Sequence, residues 1–358
     1  MRRSAKVKVS PSLLKKLRES SGYTMEELAK KLRVSIKKVK DVEEGRDYFT
    51  LSQLKSLANI YKIPLVAFFL EEIPEIPLLP DYRINREKKL NPEVFIAIRR
   101  AKYLSEVIKE LSGKSSRIPK FPKDLSPEAL AKKFREYLGV RIPEFDSPLE
   151  ALDFYKDVLE KKLEILIIEY PLKSDDVRAF SLRSDLSVIV LNESDEPQVK
   201  LFSLFHEVGH LLIRSEGICS IDIEVKQSGI EEFCNKFAAE FLAPSEILKK
   251  EIKGKKFSDK RISKLARRYG VSTQVMMIRL LNLGYITKEQ YLKFKEKFDK
   301  EKLKEKKRIK DWERTFFNRV GRLAISEVSK AYRRGDISFF EAVRILDIKP
   351  KYAEKFMG

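Results

Sequence analysis

The sequence is poor in cysteine and histidine and contains no long hydrophobic run. Its two cysteines, Cys219 and Cys234, form neither a CxxC motif nor a disulfide framework, which favours a reducing compartment. The longest apolar runs, such as 63–70 and 163–168, are far shorter than the roughly 20 residues of a membrane-spanning helix. The first ten residues lack the apolar core of a secretion signal. We therefore expect a cytoplasmic protein that has no membrane partner.

Positive charge, in contrast, is abundant. The 358 residues carry a formal net charge of +20, and charged residues make up 36% of the chain. A basic surface favours a polyanionic partner, and nucleic acid is the commonest one inside a cell. A solvated lysine-rich surface without such a partner is the alternative. The hydrophobic fraction of 43% is ordinary, and the length allows two or three globular domains.

Both histidines of the chain fall in one motif, His206-Glu207-Val208-Gly209-His210. On a helix, positions i and i+4 share a face, so the two imidazoles can bind one metal ion. Glu207 lies about 100° further round the helix, where its carboxylate can act as a base toward water. A chance match on a surface helix is the alternative. However, apolar residues surround the motif, and burying such ligands without a metal would be costly.

A catalytic zinc ion normally has three protein ligands and one open position. Because the chain has no third histidine, we expect a carboxylate from the following helix. Glu231 lies beside the apolar face of that helix, and Glu232 is its rival. Asn235, one turn after Glu231, is placed to bond a ligand histidine. The sequence therefore predicts one Zn²⁺ per chain, held by His206, His210 and Glu231.

The string LFHEVGHLL, followed by EEFCNKFAAEFLAP at 231–244, resembles the ImmA/IrrE family of metallopeptidases. Glu231 matches the position of that family's third ligand, and Cys234 replaces the usual alanine. The resemblance implies a zinc-dependent endopeptidase of the HExxH-plus-Glu type, in which Glu207 moves the proton. It also implies a protein substrate, either a DNA-bound repressor or an antitoxin-like regulator.

The strand before the motif, SVIVLNES at 187–194, also resembles the family pattern. We expect an edge strand near Ser187–Leu191 that binds the substrate backbone by strand addition. With no histidine left to stabilise the oxyanion, Tyr170 and Arg178 are the candidates for that role.

Residues 12–68 carry a second signature. Leucines at helical spacing define apolar faces, Thr24 and Glu27 form a capping box, and Gly45 ends a later helix. The pattern resembles the helix-turn-helix domain of phage repressors, the Cro/cI or XRE type. In that family the second helix of the motif enters the major groove of double-stranded DNA. The DNA contacts that this implies are Ser35, Ile36, Lys37, Lys38 and Asp41.

One residue departs from this second pattern, since Met25 stands where many relatives have glutamine. A polar contact is thereby lost. A packing or dimerisation domain with solvated lysines is the alternative interpretation, and a homodimer is compatible with either. A weaker copy of the spacing occurs at 262–284. It favours a helical support for the active site, with DNA contact through Lys264, Arg267 and Arg268 as the alternative.

Together these patterns predict an α+β, mostly helical fold. The expected order is a five-helix helix-turn-helix domain at 1–72, a linker and helix at 73–120, a zincin-like peptidase domain with a small sheet at 121–254, a helical segment similar to a helix-turn-helix at 255–300, and a basic helical tail at 301–358. Three functions fit this order. The first is a DNA-binding transcriptional regulator that is also a zinc endopeptidase, the second a transcription factor with a silent zinc site, and the third a toxin–antitoxin type of fusion.

Overall fold

The computed structural model describes residues 5–70, 91–141, 144–173, 177–213, 228–252, 258–302 and 311–357. The helices are α1 Pro11–Ser20, α2 Met25–Leu32, α3 Ile36–Glu43, α4 Leu51–Tyr61, α5 Pro92–Ser112, α6 Pro127–Leu138, α7 Pro148–Leu163, α8 Pro197–Ile213, α9 Ser228–Leu242, α10 Ser245–Ile252, α11 Asp259–Arg268, α12 Thr273–Asn282, α13 Lys288–Lys302, α14 Trp312–Val320, α15 Arg322–Arg334, α16 Phe339–Leu346 and α17 Pro350–Met357. The strands are β1 Leu166–Tyr170, β2 Ala179–Leu182 and β3 Val188–Asn192. The prediction of a mostly helical fold with a small sheet is confirmed.

Three sequence expectations fall on residues outside these ranges. They are the first part of the predicted linker, at 73–90, Cys219, and residues 303–310 of the predicted basic tail. Among the described residues, no helix combines the length and apolar character that crossing a bilayer requires.

The chain folds as two compact units, and the first contains the described residues 5–70, 91–100 and 172–173. Its helices begin at side-chain caps. Thr24 and Glu27 form the expected capping box at α2, and the Ser35 hydroxyl accepts the Lys38 N–H at the start of α3. Arg33 adopts a left-handed conformation (φ 56°) and makes the turn between these two helices. The predicted fifth helix is a 3-10 helix, Leu65–Phe69, so this unit has four α-helices and one 3-10 turn before residue 71.

The second unit contains the sheet, whose strand order is β1-β3-β2. β1 runs parallel to β3, and β2 runs antiparallel to it. The expectation that residues 187–191 form an edge strand is therefore wrong, because β3 lies between the other two strands. All five residues of β3 are buried, as is typical of a central strand. The edge next to α8 is β2, a four-residue strand that the sequence pattern did not reveal.

One hydrophobic core runs through the second unit from Leu130 to Ile286. It includes α11 and α12, which therefore belong to the same core as α8 and α9. Gly270, in the turn between α11 and α12, has a φ of +69°, and a Cβ there would lie 2.4 Å from Ala151 Cβ. The buried Arg279 of α12 ion-pairs with Glu240 of α9. These contacts favour the interpretation of the segment as a support for the active site.

The C-terminal helices pack on the other edge of the sheet, where α14 and α15 contact β1. Gly321 lies between these helices with a φ of +86°, and a Cβ there would be 3.0 Å from the Ile167 carbonyl oxygen. Glycine is required here because the backbone approaches the strand so closely. In the region predicted as a basic tail, α14 and α15 thus pack against the sheet, and α16 and α17 pack on α15.

Candidate metal centre and nucleic-acid interface

Helix α8 places His206, Glu207 and His210 at one end of its buried body. A buried ion cluster anchors this helix to the sheet, since Glu169 of β1 accepts from Lys200 of α8 (2.6 Å) and from Lys156 of α7 (2.9 Å). Burial alone would raise the pKa of Glu169, but the two lysines outweigh it and lower that pKa. The cluster therefore stays charged and fixes the orientation of α8.

Gly209 lets α9 approach α8 closely. A Cβ at this position would lie 3.2 Å from Cys234 Sγ and 3.2 Å from Phe237 Cδ1, both of which belong to α9. Further along the same contact the rings of Phe205 and Phe241 stack with centroids 4.1 Å apart. The close contact explains why the motif has glycine at position 209, and it brings the start of α9 beside the histidines.

Glu231, in the first turn of α9, completes a three-residue cluster. Its carboxylate oxygens lie 3.2 Å from His206 Nε2 and 3.2 Å from His210 Nε2. The two Nε2 atoms are 3.1 Å apart. Zinc–ligand distances of about 2.0–2.1 Å in a tetrahedral site place neighbouring ligand atoms roughly 3.3 Å apart. The donor atoms present therefore fit one small divalent ion. Glu232 instead pairs with Lys236 (2.7 Å) and lies outside the cluster.

Asn235 contacts the outer nitrogen of the first histidine. Its Oδ1 lies 3.0 Å from His206 Nδ1, so an N–H at Nδ1 donates to it. In the neutral imidazole this leaves a lone pair on Nε2, and in the protonated imidazole the Nε2–H donates to Glu231. Burial alone would lower the pKa of His206, but its hydrogen bond to Glu231 and the nearby carboxylates outweigh this and raise it. Hydrogen bonds from both histidines lower the pKa of Glu231 well below its usual range. The cluster thus favours an ionised carboxylate beside two imidazoles.

Glu207 lies beside this cluster and is not part of it. It is buried, and its Oε2 accepts a hydrogen bond from the Ser181 hydroxyl of β2 (2.7 Å). Sequence reasoning missed Ser181, because a four-residue strand carries too little periodicity to identify. Of the two suggested oxyanion contacts, Arg178 ion-pairs with Asp195 (2.9 Å), and Tyr170 ends β1, on the far side of β3 from β2.

The predicted DNA-contacting residues of α3 divide into two groups. Ser35, Ile36 and Lys37 are exposed together at the start of the helix. Lys38 turns inward, and its Nζ bonds Asp47 (2.5 Å) and the Tyr48 carbonyl (2.7 Å).

Asp41 is likewise engaged within the domain, because it pairs with Arg46 (2.9 Å). Lys40, which was not among the predicted DNA contacts, is exposed on the same helix. The exposed face of α3 is thus made by Ser35, Ile36, Lys37 and Lys40.

Comparisons with known proteins assign two regions of the chain. A family model described as the IrrE N-terminal-like domain matches residues 160–281, and a helix-turn-helix domain model matches residues 12–67. None of the curated proteins matches the chain significantly. A solved structure of a Mycobacterium tuberculosis transcriptional regulator aligns with 14% sequence identity and a TM-score of 0.31. The alignment covers 52% of this chain and 51% of the other, so the chain spans about half the length of that protein. The chain joins an N-terminal helix-turn-helix domain to an IrrE-like domain of metallopeptidase type, as in an ImmA/IrrE peptidase fused to a DNA-binding domain.

Proposed function

We propose that the protein is a DNA-binding transcriptional regulator with zinc-dependent endopeptidase activity. The observation that carries this proposal is the position of Glu207, whose carboxylate is held by Ser181 beside the cluster of His206, His210 and Glu231. A purely structural metal site has no need of a base at this point. The intact carboxylate therefore favours an active peptidase over a transcription factor with a silent zinc site.

In this proposal His206, His210 and Glu231 hold one zinc ion, and Asn235 fixes the tautomer of His206. A bound zinc ion supplies Lewis acidity, which polarises the scissile carbonyl and acidifies water. Zinc is favoured over other divalent ions by the combination of two imidazoles and one carboxylate.

Glu207 acts as the general base and then as the general acid. It takes a proton from the attacking water and delivers the proton to the leaving amine. The hydrogen bond from Ser181 to Oε2 restricts the rotation of the carboxylate and leaves Oε1 for this transfer. Burial of Glu207 shields the proton from bulk solvent, which supports a role in catalysis.

The substrate backbone is proposed to add to β2. In the described part of the chain β2 pairs only with β3, so its other edge has backbone groups for a further strand. β2 also carries Ser181, which places this edge next to Glu207. An extended segment of a protein substrate bound there would lie close to the base.

The N-terminal domain is proposed to bind double-stranded DNA through Ser35, Ile36, Lys37 and Lys40. Lysines at the start of the second helix of the motif are placed to contact phosphates or guanine edges. Lys38 bonds Asp47 and Asp41 bonds Arg46, so these two side chains hold the helix within its domain and are not proposed to contact DNA. The resemblance to the ImmA/IrrE family favours a partner repressor or an antitoxin-like regulator as the protein that is cleaved.

The test combines purified protein with the products of neighbouring genes and follows cleavage by mass spectrometry. Wild-type protein should cleave one of them, a chelator should stop the cleavage, and Glu207→Gln should abolish it. Glu232→Gln, which removes one carboxylate outside the cluster, is the matched control and should remain active. Cleavage that persists in Glu207→Gln would contradict the assigned base. DNA binding together with bound zinc but without cleavage would favour the transcription factor with a silent site.

A further inference from the structure

The C-terminal helices α15, α16 and α17 repeat the local structure of the N-terminal helix-turn-helix domain. In that domain Gly22 follows α1 with a positive φ, and Thr24 opens α2 with a capping box. Near the C-terminus Gly335 follows α15 with a positive φ, and Ser338 opens α16 with a capping box. The third residue of the second helix is the glutamate of the box in both cases.

The turn between the second and third helices is also the same. α2 and α16 each have eight residues, and each is followed by a left-handed residue, Arg33 (φ 56°) or Asp347 (φ 52°). The next residue, Val34 or Ile348, donates its N–H to the carbonyl five positions earlier. A third helix of eight residues follows, α3 or α17. Residues 322–357 therefore form a second helix-turn-helix module.

A related turn occurs between α11 and α12, but its surroundings differ. There Gly270 is packed against α7, and Arg279 of the second helix is buried on Glu240. The first turn of α12 presents Thr273 and Gln274, neither of which is a cation. The helices on both sides of this turn belong to the core of the second unit. The turn alone therefore does not make a DNA-binding surface.

The third helix of the C-terminal module is oriented like α3 within its own module. Val39 of α3 and Ala353 of α17 occupy corresponding buried positions. The residue before each contacts its own unit, since Lys38 bonds Asp47 and the ring of Tyr352 packs tilted against Trp312 with ring centroids 4.5 Å apart. The remaining face of α17 is therefore the counterpart of the exposed face of α3.

The start of this face is basic, whereas Glu354 of α17 stands at the position of Lys40 in α3. Lys351 corresponds to Lys37 of α3, Arg344 corresponds to Lys30 of α2, and Lys349 immediately precedes α17. Arg344, Lys349 and Lys351 are all exposed. Lys351 Nζ lies over the ring of Tyr352, 4.7 Å from its centroid. Cations at the start of the third helix and at the end of the second are placed to meet the phosphates of a duplex.

We propose that the module at 322–357 binds double-stranded DNA through Arg344, Lys349 and Lys351. The protein then has two DNA-contacting surfaces of the same local design, one in each unit. The choice of duplex DNA as the ligand rests on the proposed DNA-binding function, whereas the module itself does not depend on the peptidase activity.

The experiment measures binding of the full-length protein to a fluorescent 30-base-pair duplex of mixed sequence by anisotropy, over a series of KCl concentrations. Each phosphate contact contributes about 0.9 to the slope of log Kd against log salt concentration. Replacing the three cations with alanine should lower this slope by about two to three. The matched control removes three exposed lysines elsewhere in the same unit, at Lys132, Lys133 and Lys162, and should lower the slope by less than one.

Two further variants separate this proposal from the DNA-binding role of the N-terminal domain. Lys37→Ala combined with Lys40→Ala tests that domain alone. If only this variant weakens binding, the C-terminal proposal is overturned. If only the C-terminal triple variant does, the N-terminal role fails and the C-terminal proposal stands. A charge-conserving triple variant, with Arg344→Lys and arginine at both lysine positions, should bind like the wild type.

Three other results would also overturn the C-terminal proposal. The first is a triple variant that binds the duplex as tightly as its control. The second is a wild-type protein that does not bind the duplex at a KCl concentration of about 50 mM. The third is an equal loss of affinity of the triple variant for a single-stranded probe of the same sequence. Thermal denaturation of each variant shows whether it is folded. A triple variant that is unfolded is replaced by the three single variants, each of which should lower the slope by about one.

Discussion

Gly209→Ala tests the account of how the metal cluster is assembled. The added methyl group would lie 3.2–3.3 Å from atoms of Cys234 and Phe237, which is closer than ordinary van der Waals contact. Helix α9 must then move away from α8 by a few tenths of an ångström, and Glu231 moves with it. Zinc sites tolerate deviations of only about 0.2 Å in ligand distance, so we expect zinc affinity to fall roughly tenfold.

The effect on stability is smaller because two contributions oppose each other. Overpacking of a core costs about 1–3 kcal/mol, whereas alanine is favoured over glycine within a helix by about 1 kcal/mol. We therefore expect a net loss of up to roughly 2 kcal/mol in the free energy of unfolding. Urea denaturation of the metal-free protein measures this loss, and competition with a fluorescent chelator measures the zinc affinity.

Gly229→Ala is the matched control for this substitution, since it lies in the same pair of helices and has no atom within 4 Å of the added Cβ. It should leave zinc affinity unchanged. Combining Gly209→Ala with Cys234→Ala removes the contact with Sγ and should restore part of the affinity. Wild-type zinc affinity in Gly209→Ala would refute the claim that the close contact between α8 and α9 positions Glu231.

Three further predictions concern Glu160, Glu169 and Asn235. Burial raises the pKa of Glu160 to about 7, which is above the pKa of a glutamate in the unfolded chain. The protonated side chain therefore stabilises the fold fully at low pH, and this stabilisation is lost as the pH rises from about 4.5 through 7. Over this pH range the free energy of unfolding of the wild type, measured by urea denaturation, should fall by roughly 3 kcal/mol more than that of Glu160→Gln. Equal pH dependence of the two proteins would contradict the raised pKa of Glu160. Glu169→Gln leaves two buried lysines without a carboxylate and should cost about 3–5 kcal/mol, whereas a loss below about 1 kcal/mol would show that the cluster does not anchor α8. Asn235→Ala should weaken zinc binding about 10- to 100-fold, with Glu232→Gln as an unaffected control; equal affinities would exclude Asn235 as a positioning residue.

The sequence predicted the elements with strong local signals. The helix that carries His206 and His210 was predicted, and it is found at Pro197–Ile213, where a continuous apolar body and Pro197 define its extent. The capping box of Thr24 and Glu27 located α2 for the same reason. The proximity of Glu231 and Asn235 to the histidines could also be anticipated, since one helical turn separates them and only one face of α9 is apolar.

Features that depend on tertiary pairing could not be predicted in the same way. β2 has four residues with alternating burial, so nothing in its sequence distinguishes it from a loop, and without it β3 was taken for an edge strand. Ser181 was missed with it. The inward turn of Lys38 depends on Asp47, which follows α3 in a loop whose conformation the helical pattern does not specify. The packing of α11 and α12 on the core of the second unit depends on the buried Arg279 and on the close approach at Gly270, neither of which the helical pattern reveals.

The most direct test of the central claim is the zinc content of the purified protein after dialysis against trace zinc. Wild type, Glu207→Gln and Glu232→Gln should each retain about one zinc ion per chain, because a catalytic site has three protein ligands and these variants keep all three. Glu231→Gln should lose most of its zinc. Full zinc retention in Glu231→Gln, or no bound zinc in the wild type, would contradict the assignment of His206, His210 and Glu231 as a metal centre.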